Sequence, residues 1–157
     1  MNRQQIEELF RALRVHLSIT RRLVSQFPDD KLNFRPHPEV RSAAEIAGHI
    51  FNFLTESTES VLAGKHMPSE PPVFETKRDI LDYMASQVKK AYANLAKITE
   101  EQVAANVSAY GTQFPGWQML GFVYDETLHH RGQLTVYLRL AGIQPVFIYD
   151  IENTPML

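Results

Sequence analysis

Hydrophobic side chains recur every three or four residues along four long stretches of the chain, with polar residues between them. This spacing places the apolar side chains on one face of an α-helix. The first stretch covers about residues 3–27, and its apolar face comprises Ile6, Leu9, Phe10, Leu13, Leu17, Leu23, Val24 and Phe27. We therefore predict a first long helix that buries this face.

The second helix is predicted from the residues at its two ends. Ser42 is followed by Glu45 three residues later, a pair that caps helix N-termini by reciprocal hydrogen bonds. The helical spacing continues to about Ala63, and Gly64 is suited to the left-handed conformation that ends many helices. Prolines in the flanking loops KLNFRPHPEVR and KHMPSEPPVFE exclude helix on either side.

Two further long helices follow. Thr76 predicts the start of the third helix, and Thr99 the start of a short additional helical turn. The fourth long helix is predicted over about residues 117–140, because Gly142 and Pro145 then prevent its continuation. The third helix carries an apolar series of Ile80, Met84, Val88, Leu95 and Ile98.

No segment alternates convincingly between apolar and polar residues, so we predict no β-sheet. The stretch PVFIY, residues 145–149, is too short and isolated to build one. Four long helices with modest loops favour an all-α fold, a four-helix bundle. A length of 157 residues fits one domain with one core, residues 1–157.

Composition and charge narrow the classes of function. The net charge of −2 gives no strong electrostatic case for binding nucleic acid or an anionic membrane. No apolar run approaches the ~20 residues of a membrane span, and the first residues lack an apolar signal core. The chain has no cysteine, which removes disulfides and thiolate chemistry and fits a cytoplasmic protein.

The stretch ETLHHRGQL places candidate chemistry inside the fourth helix. At about 100° per residue, His130 lies in the middle of the apolar face, whereas His129 points about 100° away. Glu126 precedes His130 by one helical turn, roughly 6 Å of rise, on the adjoining side. Gln133 lies on that same side. Of the adjacent histidines, only His130 is therefore predicted to face the interior.

The second helix contributes His49 at the edge of its apolar face, near Asn52 and Glu56. A buried ionisable group has to be paired, neutralised or bound to a metal. Glu126 and His130 could satisfy each other by a hydrogen bond. Alternatively, they could join His49 in a metal site built from facing helices. Two imidazoles and a carboxylate leave coordination positions open and suit Zn²⁺, Fe²⁺ or Ni²⁺.

Other polar and small residues are less informative. Gly132 lies on the back of the fourth helix, where apolar neighbours suggest a second buried face, within the bundle or across a dimer. Alternatively, this glycine merely tolerates exposure. Arg131 is predicted to have a surface or salt-bridge role. His16, His37 and His66 have no evident partners in the sequence and receive no role.

Two segments resemble the DinB/YfiT-like superfamily of bundle metalloenzymes. HHRGQLTVYLRLAGIQPVFIYD resembles the family's specific C-terminal motif, and VRSAAEIAGHIFNFL resembles its second-helix motif, which alone would be weak. The resemblance covers essentially the whole chain. It implies an up-down-down-up four-helix bundle, often a homodimer, that holds a divalent metal.

The resemblance also implies a set of metal ligands. In the family, one histidine of the second helix and a His-x-x-x-His pair of the last long helix hold the metal. By position these ligands are His49, residue 126 and His130. Residue 126 is here Glu126, so either a carboxylate replaces the imidazole or the site has lost its metal. We favour the carboxylate ligand, because the substitution keeps a coordinating group.

Two hypotheses about function follow. The first is a metal-dependent enzyme acting on a small molecule, either a thiol-dependent S-transferase that uses a low-molecular-weight thiol or a hydrolase. In it, Zn, Ni or Fe is held by His49, Glu126 and His130, while Asn52, Glu56 and Gln133 contact the substrate. The second is a metal-free bundle that serves as a binding or stress-response module without catalysis.

Overall fold

The computed structural model describes all residues 1–157 and is mostly helical. A 3₁₀ turn at Asp29–Lys31 follows the first helix. The helices are α1 (Arg3–Gln26), α2 (Ala43–Ala63), α3 (Lys77–Leu95), α4 (Glu100–Ala104) and α5 (Gly116–Leu140). A hairpin of β1 (Asn106–Ala109) and β2 (Thr112–Pro115) lies between α4 and α5.

The helix ends are where local sequence chemistry places them. The Ser42 hydroxyl accepts from the backbone N–H of Glu45, and the Glu45 carboxylate accepts from the backbone N–H of Ser42. Thr76 and Thr99 cap α3 and α4 in the same way. Gly64 ends α2 with a φ of 68°, in the left-handed region that glycine adopts without steric cost. The predicted boundaries are confirmed to within one or two residues, except that α3 ends at Leu95, three residues before Ile98, which was predicted to lie on this helix.

The long helices share one hydrophobic core. α2 packs against α3 and α5, and α1 packs mainly against α5. Thirty-three buried apolar residues form a single contiguous cluster that all four long helices enter. No helix combines the length and the apolar character needed to cross a bilayer. The up-down-down-up order of the helices stays a prediction.

The expectation of no strand is wrong. β1 and β2 pair antiparallel, from Asn106 opposite Pro115 to Ala109 opposite Thr112. Only Val107 and Ala109 of β1 are buried, so the alternation covers four residues and is too short to recognise in the sequence. The hairpin is stabilised by tertiary contact, since Lys65 after α2 forms a parallel bridge with Ser108.

The part of the α5 back face around Gly132 and Val136 is exposed, contrary to the expectation that it is buried within the bundle. A Cβ atom added at Gly132 would meet no atom within 4 Å apart from its own stretch of helix, and Val136 is 52% exposed. Arg131, expected at the surface or in a salt bridge, is instead buried at 8% exposure. Pairing of two copies through the Gly132 face stays a prediction.

Candidate metal centre

Three side chains from two helices converge on one point. His49 lies on α2, and Glu126 and His130 lie one turn apart on α5. The Oε2 atom of Glu126 is 3.2 Å from Nε2 of His49 and 3.0 Å from Nε2 of His130. One potential ligand atom from each residue lies within 4.8 Å of the other two. The three residues thus form a possible His/Glu/His metal site.

The local helix geometry explains the contribution of α5. Residues four apart lie above one another on a helix, which brings the Glu126 carboxylate to the His130 imidazole. His130 is 5% exposed, whereas the adjacent His129 is exposed to solvent, as its helical angle predicts. Glu126 keeps 39% of its side chain exposed, so the carboxylate is accessible from outside the core.

Gln133 determines which nitrogen of His130 carries the proton. Its amide oxygen lies 2.8 Å from Nδ1 of His130, and its amide nitrogen lies 3.2 Å from Nε2 of His129. The amide can satisfy both contacts by accepting from Nδ1–H of His130 and donating to His129. Neutral His130 then presents a lone pair at Nε2, directed at the Glu126 carboxylate.

In this tautomer of His130, no proton lies between Nε2 of His130 and Oε2 of Glu126, and both atoms are hydrogen-bond acceptors. Burial lowers the pKa of His130, and the hydrogen bond to Gln133 opposes that shift only in part. The neutral imidazole is therefore favoured, and its Nε2 lone pair faces a carboxylate oxygen 3.0 Å away. Two acceptors in contact repel each other unless a proton or a cation lies between them. A divalent cation fits this donor set, which offers nitrogen and oxygen ligands and open positions.

A cavity of about 470 Å³ opens beside two of the three residues, and the buried His130 does not line it. His49 and Glu126 line it, and so do two of the residues predicted to contact substrate, Asn52 and Glu56. Gln133 is not among the lining residues, because its amide is turned toward His130 and His129. Its observed contacts indicate a role in orienting His130.

Two cavity residues were missed by the sequence analysis. Nε2 of His66 lies 2.6 Å from Oε1 of Glu56, which corrects the expectation that His66 has no partner. The Tyr110 hydroxyl lies 3.4 Å from the same oxygen. His66 follows α2 in a loop and Tyr110 lies in the hairpin turn. No helical periodicity links either residue to Glu56, so only the folded chain brings them together.

His16 also has partners that the sequence did not reveal. Nη1 of Arg131 lies 2.7 Å from Nδ1 of His16, whose Nε2 lies 3.0 Å from the Tyr124 hydroxyl. Burial lowers the pKa of His16, and the neighbouring Arg131 charge lowers it further. This group packs α5 against α1 and lies outside the cavity. His37, by contrast, is exposed near Glu39 and has no such environment.

Comparisons with known proteins assign the chain to a family. The model of the DinB family matches residues 1–155. Two uncharacterised proteins of Bacillus subtilis strain 168 are similar in sequence. YjoA is 27% identical over 130 residues, covering 81% of this chain and 84% of YjoA. YrdA is 22% identical over 148 residues, covering 93% of this chain and 89% of YrdA.

Solved structures show the same fold. The crystal structure of the DinB-like protein YjoA from Bacillus subtilis superposes with a TM-score of 0.68 at 21% identity, covering 90% of both chains. A DinB-like protein from Bacillus cereus ATCC 10987 superposes with a TM-score of 0.77 at 20% identity, covering 91% of this chain and 97% of that one. Because the DinB family model matches nearly the full length of the chain, the chain belongs to the DinB family.

Proposed function

We propose that this protein is a metal-dependent enzyme acting on a small molecule, with a divalent metal held by His49, Glu126 and His130. One observation carries the proposal: the Nε2 atoms of both histidines lie within 3.2 Å of a single carboxylate oxygen. The hydrogen bond from His130 to Gln133 leaves Nε2 of His130 as an acceptor. A cation satisfies all three ligands together, whereas protons satisfy them only if a buried imidazole is charged or the Glu126 carboxyl is protonated.

Three protein ligands leave positions for a substrate atom, water or a small thiol. A bound Zn, Ni or Fe ion would act as a Lewis acid and lower the pKa of a water or thiol placed there. The protein supplies the binding surface. Asn52 and Glu56 line the cavity, and we place the substrate against this wall. Gln133 holds the His130 ring in the tautomer that a metal requires.

We place the four long helices in an up-down-down-up bundle that forms a single domain over residues 1–157. Two copies pair through the exposed back face of α5. The reaction is group transfer to a low-molecular-weight thiol or hydrolysis, both of which use an activated nucleophile in an accessible cavity. The proposed location is the cytoplasm.

Metal analysis of protein purified without a polyhistidine tag tests the ligand set. We expect close to one divalent ion per chain in the wild type and loss of the ion in both His49→Ala and Glu126→Ala. His37→Ala is the matched control, because His37 is an exposed histidine beside a glutamate and away from the cavity. Metal-free wild-type protein that also takes up no added Zn²⁺, Ni²⁺ or Fe²⁺ would support a metal-free binding module instead.

A pair of assays separates the two reactions. Consumption of 1-chloro-2,4-dinitrobenzene with and without cysteine reports thiol transfer, and release of nitrophenol from 4-nitrophenyl acetate reports hydrolysis. Transfer requires turnover that depends on both the metal and the thiol. Turnover that depends on the metal but needs no thiol identifies a hydrolase.

A further inference from the structure

A second carboxylate–imidazole pair, Glu56 and His66, lies in the wall of the cavity. Glu56 lies on α2 and is 9% exposed, which is unusual for a carboxylate unless it is paired. Its Oε1 atom is 2.6 Å from Nε2 of His66, and its Oε2 atom accepts from the backbone N–H of Ser69 at 3.4 Å. The pair is therefore built into the fold and is separate from the three proposed metal ligands.

The β-hairpin holds this pair in place. The backbone N–H of His66 donates to the carbonyl of Ser108 at 2.8 Å, and the N–H of Ser108 donates to the carbonyl of Gly64 at 3.4 Å. These bonds join the loop after α2 to β1. The hairpin thus holds the backbone of His66, and Glu56 holds its ring at Nε2.

Tyr110, beside the Glu56–His66 pair, has a strained backbone conformation. It is the only non-glycine residue with a positive φ, 53°, and it shares the hairpin turn with Gly111. Asn, Asp or Gly normally occupies such a turn position, because larger side chains are disfavoured there. The centroids of the Tyr110 and His66 rings are 4.6 Å apart, and the Tyr110 hydroxyl lies 3.4 Å from Oε1 of Glu56. Backbone strain retained at a ligand cavity is typical of functional sites.

The pair shares the cavity with the proposed metal centre. His66, Glu56 and Tyr110 line it together with His49 and Glu126. Burial raises the pKa of the Tyr110 phenol, and the negative charges of Glu56 and Glu126 both raise it further. A small molecule bound in this volume can contact the two groups at once.

The hydrogen bonds of His66 leave one nitrogen available. An ionised Glu56 accepts the Nε2–H of the imidazole, which assigns the lone pair to Nδ1. Nδ1 has no protein hydrogen-bond partner. A carboxylate that fixes the tautomer and orientation of an imidazole whose other nitrogen is free is the arrangement by which enzymes build general bases.

We propose that His66 is the general base of this cavity and that Glu56 and Tyr110 position its ring. This inference rests on the proposed function. The O–H or S–H proton of the nucleophile, water or a small thiol, moves to Nδ1 of His66. The freed oxygen or sulfur forms the bond to the electrophilic carbon of the substrate. The leaving group departs with its bonding electron pair, and the imidazolium returns the proton to it.

The tautomer of His66 is tested in the free protein by long-range ¹H–¹⁵N correlation of its imidazole at neutral pH. We expect a protonated Nε2 and an unprotonated Nδ1 in the wild type. In Glu56→Gln, the amide can donate to Nε2, and we expect a shift toward the Nδ1–H form. A wild-type His66 that carries its proton on Nδ1 would overturn the base role, whether or not the protein binds a metal.

Kinetics of the metal-loaded protein complete the test. With the thiol and ester probes described above, we expect His66→Gln to keep its metal and its circular dichroism spectrum but to lose about 100-fold in kcat. His37→Gln is the matched control and keeps full turnover. Turnover of His66→Gln within twofold of wild type would overturn the base role while leaving the proposed function intact. Failure of the proposed metal site would be recognised separately, because the wild-type protein would then contain no metal.

Discussion

The Nδ1 atom of His130 lies 2.8 Å from the amide oxygen of Gln133, one turn further along α5. This contact assigns the proton of a buried imidazole to Nδ1 and leaves Nε2 as an acceptor beside Glu126. We therefore expect Gln133→Ala to weaken Zn²⁺ binding by about 10- to 100-fold, the usual loss when a ligand's outer hydrogen-bond partner is removed.

A chelator-competition titration measures this loss. Gln118→Ala is the control, since Gln118 lies on the same helix and has no contact with the three proposed ligands. Equal Zn²⁺ affinities for wild type and Gln133→Ala would contradict the orienting role of Gln133.

Replacing Glu126 with histidine gives the His-x-x-x-His pair that the resemblance to the family implies for this helix. We expect Glu126→His to bind Zn²⁺ at least as tightly as wild type, because imidazole is a good ligand for this borderline metal. Glu126→Gln offers only a neutral amide and is expected to lose the ion. Thermal unfolding provides the measurement, since a ligand present at 100 times its Kd stabilises a protein by about 2.7 kcal/mol. A zinc-dependent rise in Tm for Glu126→Gln as large as that of wild type would count against a carboxylate ligand.

The His16–Arg131 contact predicts a loss of stability in mild acid. Burial and the Arg131 charge lower the pKa of His16 below its ordinary value of 6.5. The unfolded chain therefore binds the His16 proton at a higher pH than the folded chain does. This contribution to stability is complete above about pH 6.5 and is lost as the pH falls toward the folded pKa.

Urea unfolding of metal-free protein at pH 7.5 and pH 5.5 measures this effect. His16→Gln, which can still accept from Arg131 and donate to Tyr124, is expected to show a smaller decrease in unfolding free energy than wild type. An equal decrease in the two proteins would refute the assignment to His16.

Two helical glycines of α5 are expected to respond oppositely to alanine. A Cβ atom at Gly132 meets nothing within 4 Å, so Gly132→Ala should stabilise the chain by up to about 1 kcal/mol through helix propensity. A Cβ atom at Gly116 would lie 2.2 Å from the backbone oxygen of Gln102, so Gly116→Ala should destabilise it. Urea midpoints distinguish the two. Destabilisation by Gly132→Ala together with a smaller assembly in light scattering would show that a second copy packs on this face.

The helices and the Glu126–His130 pair of the candidate metal centre were predictable, because they depend on residues that are close together in the sequence. Ser42 and Glu45 cap each other across three residues, and helical periodicity alone aims His130 inward and His129 outward. The spacing of Glu126 and His130 likewise follows from the helical repeat. The weak alternation of β1 was not recognisable, since a four-residue strand shows too few repeats.

By itself, the sequence determined the helices, their caps and the pairing of Glu126 with His130, because each depends on residues within about one helical turn. The tertiary structure decided which distant residues meet these elements. It brought His49 of α2 to Glu126, placed His66 against Glu56, and buried Arg131 beside His16. These contacts depend on how helices and loops pack, and no periodicity within a single segment encodes them.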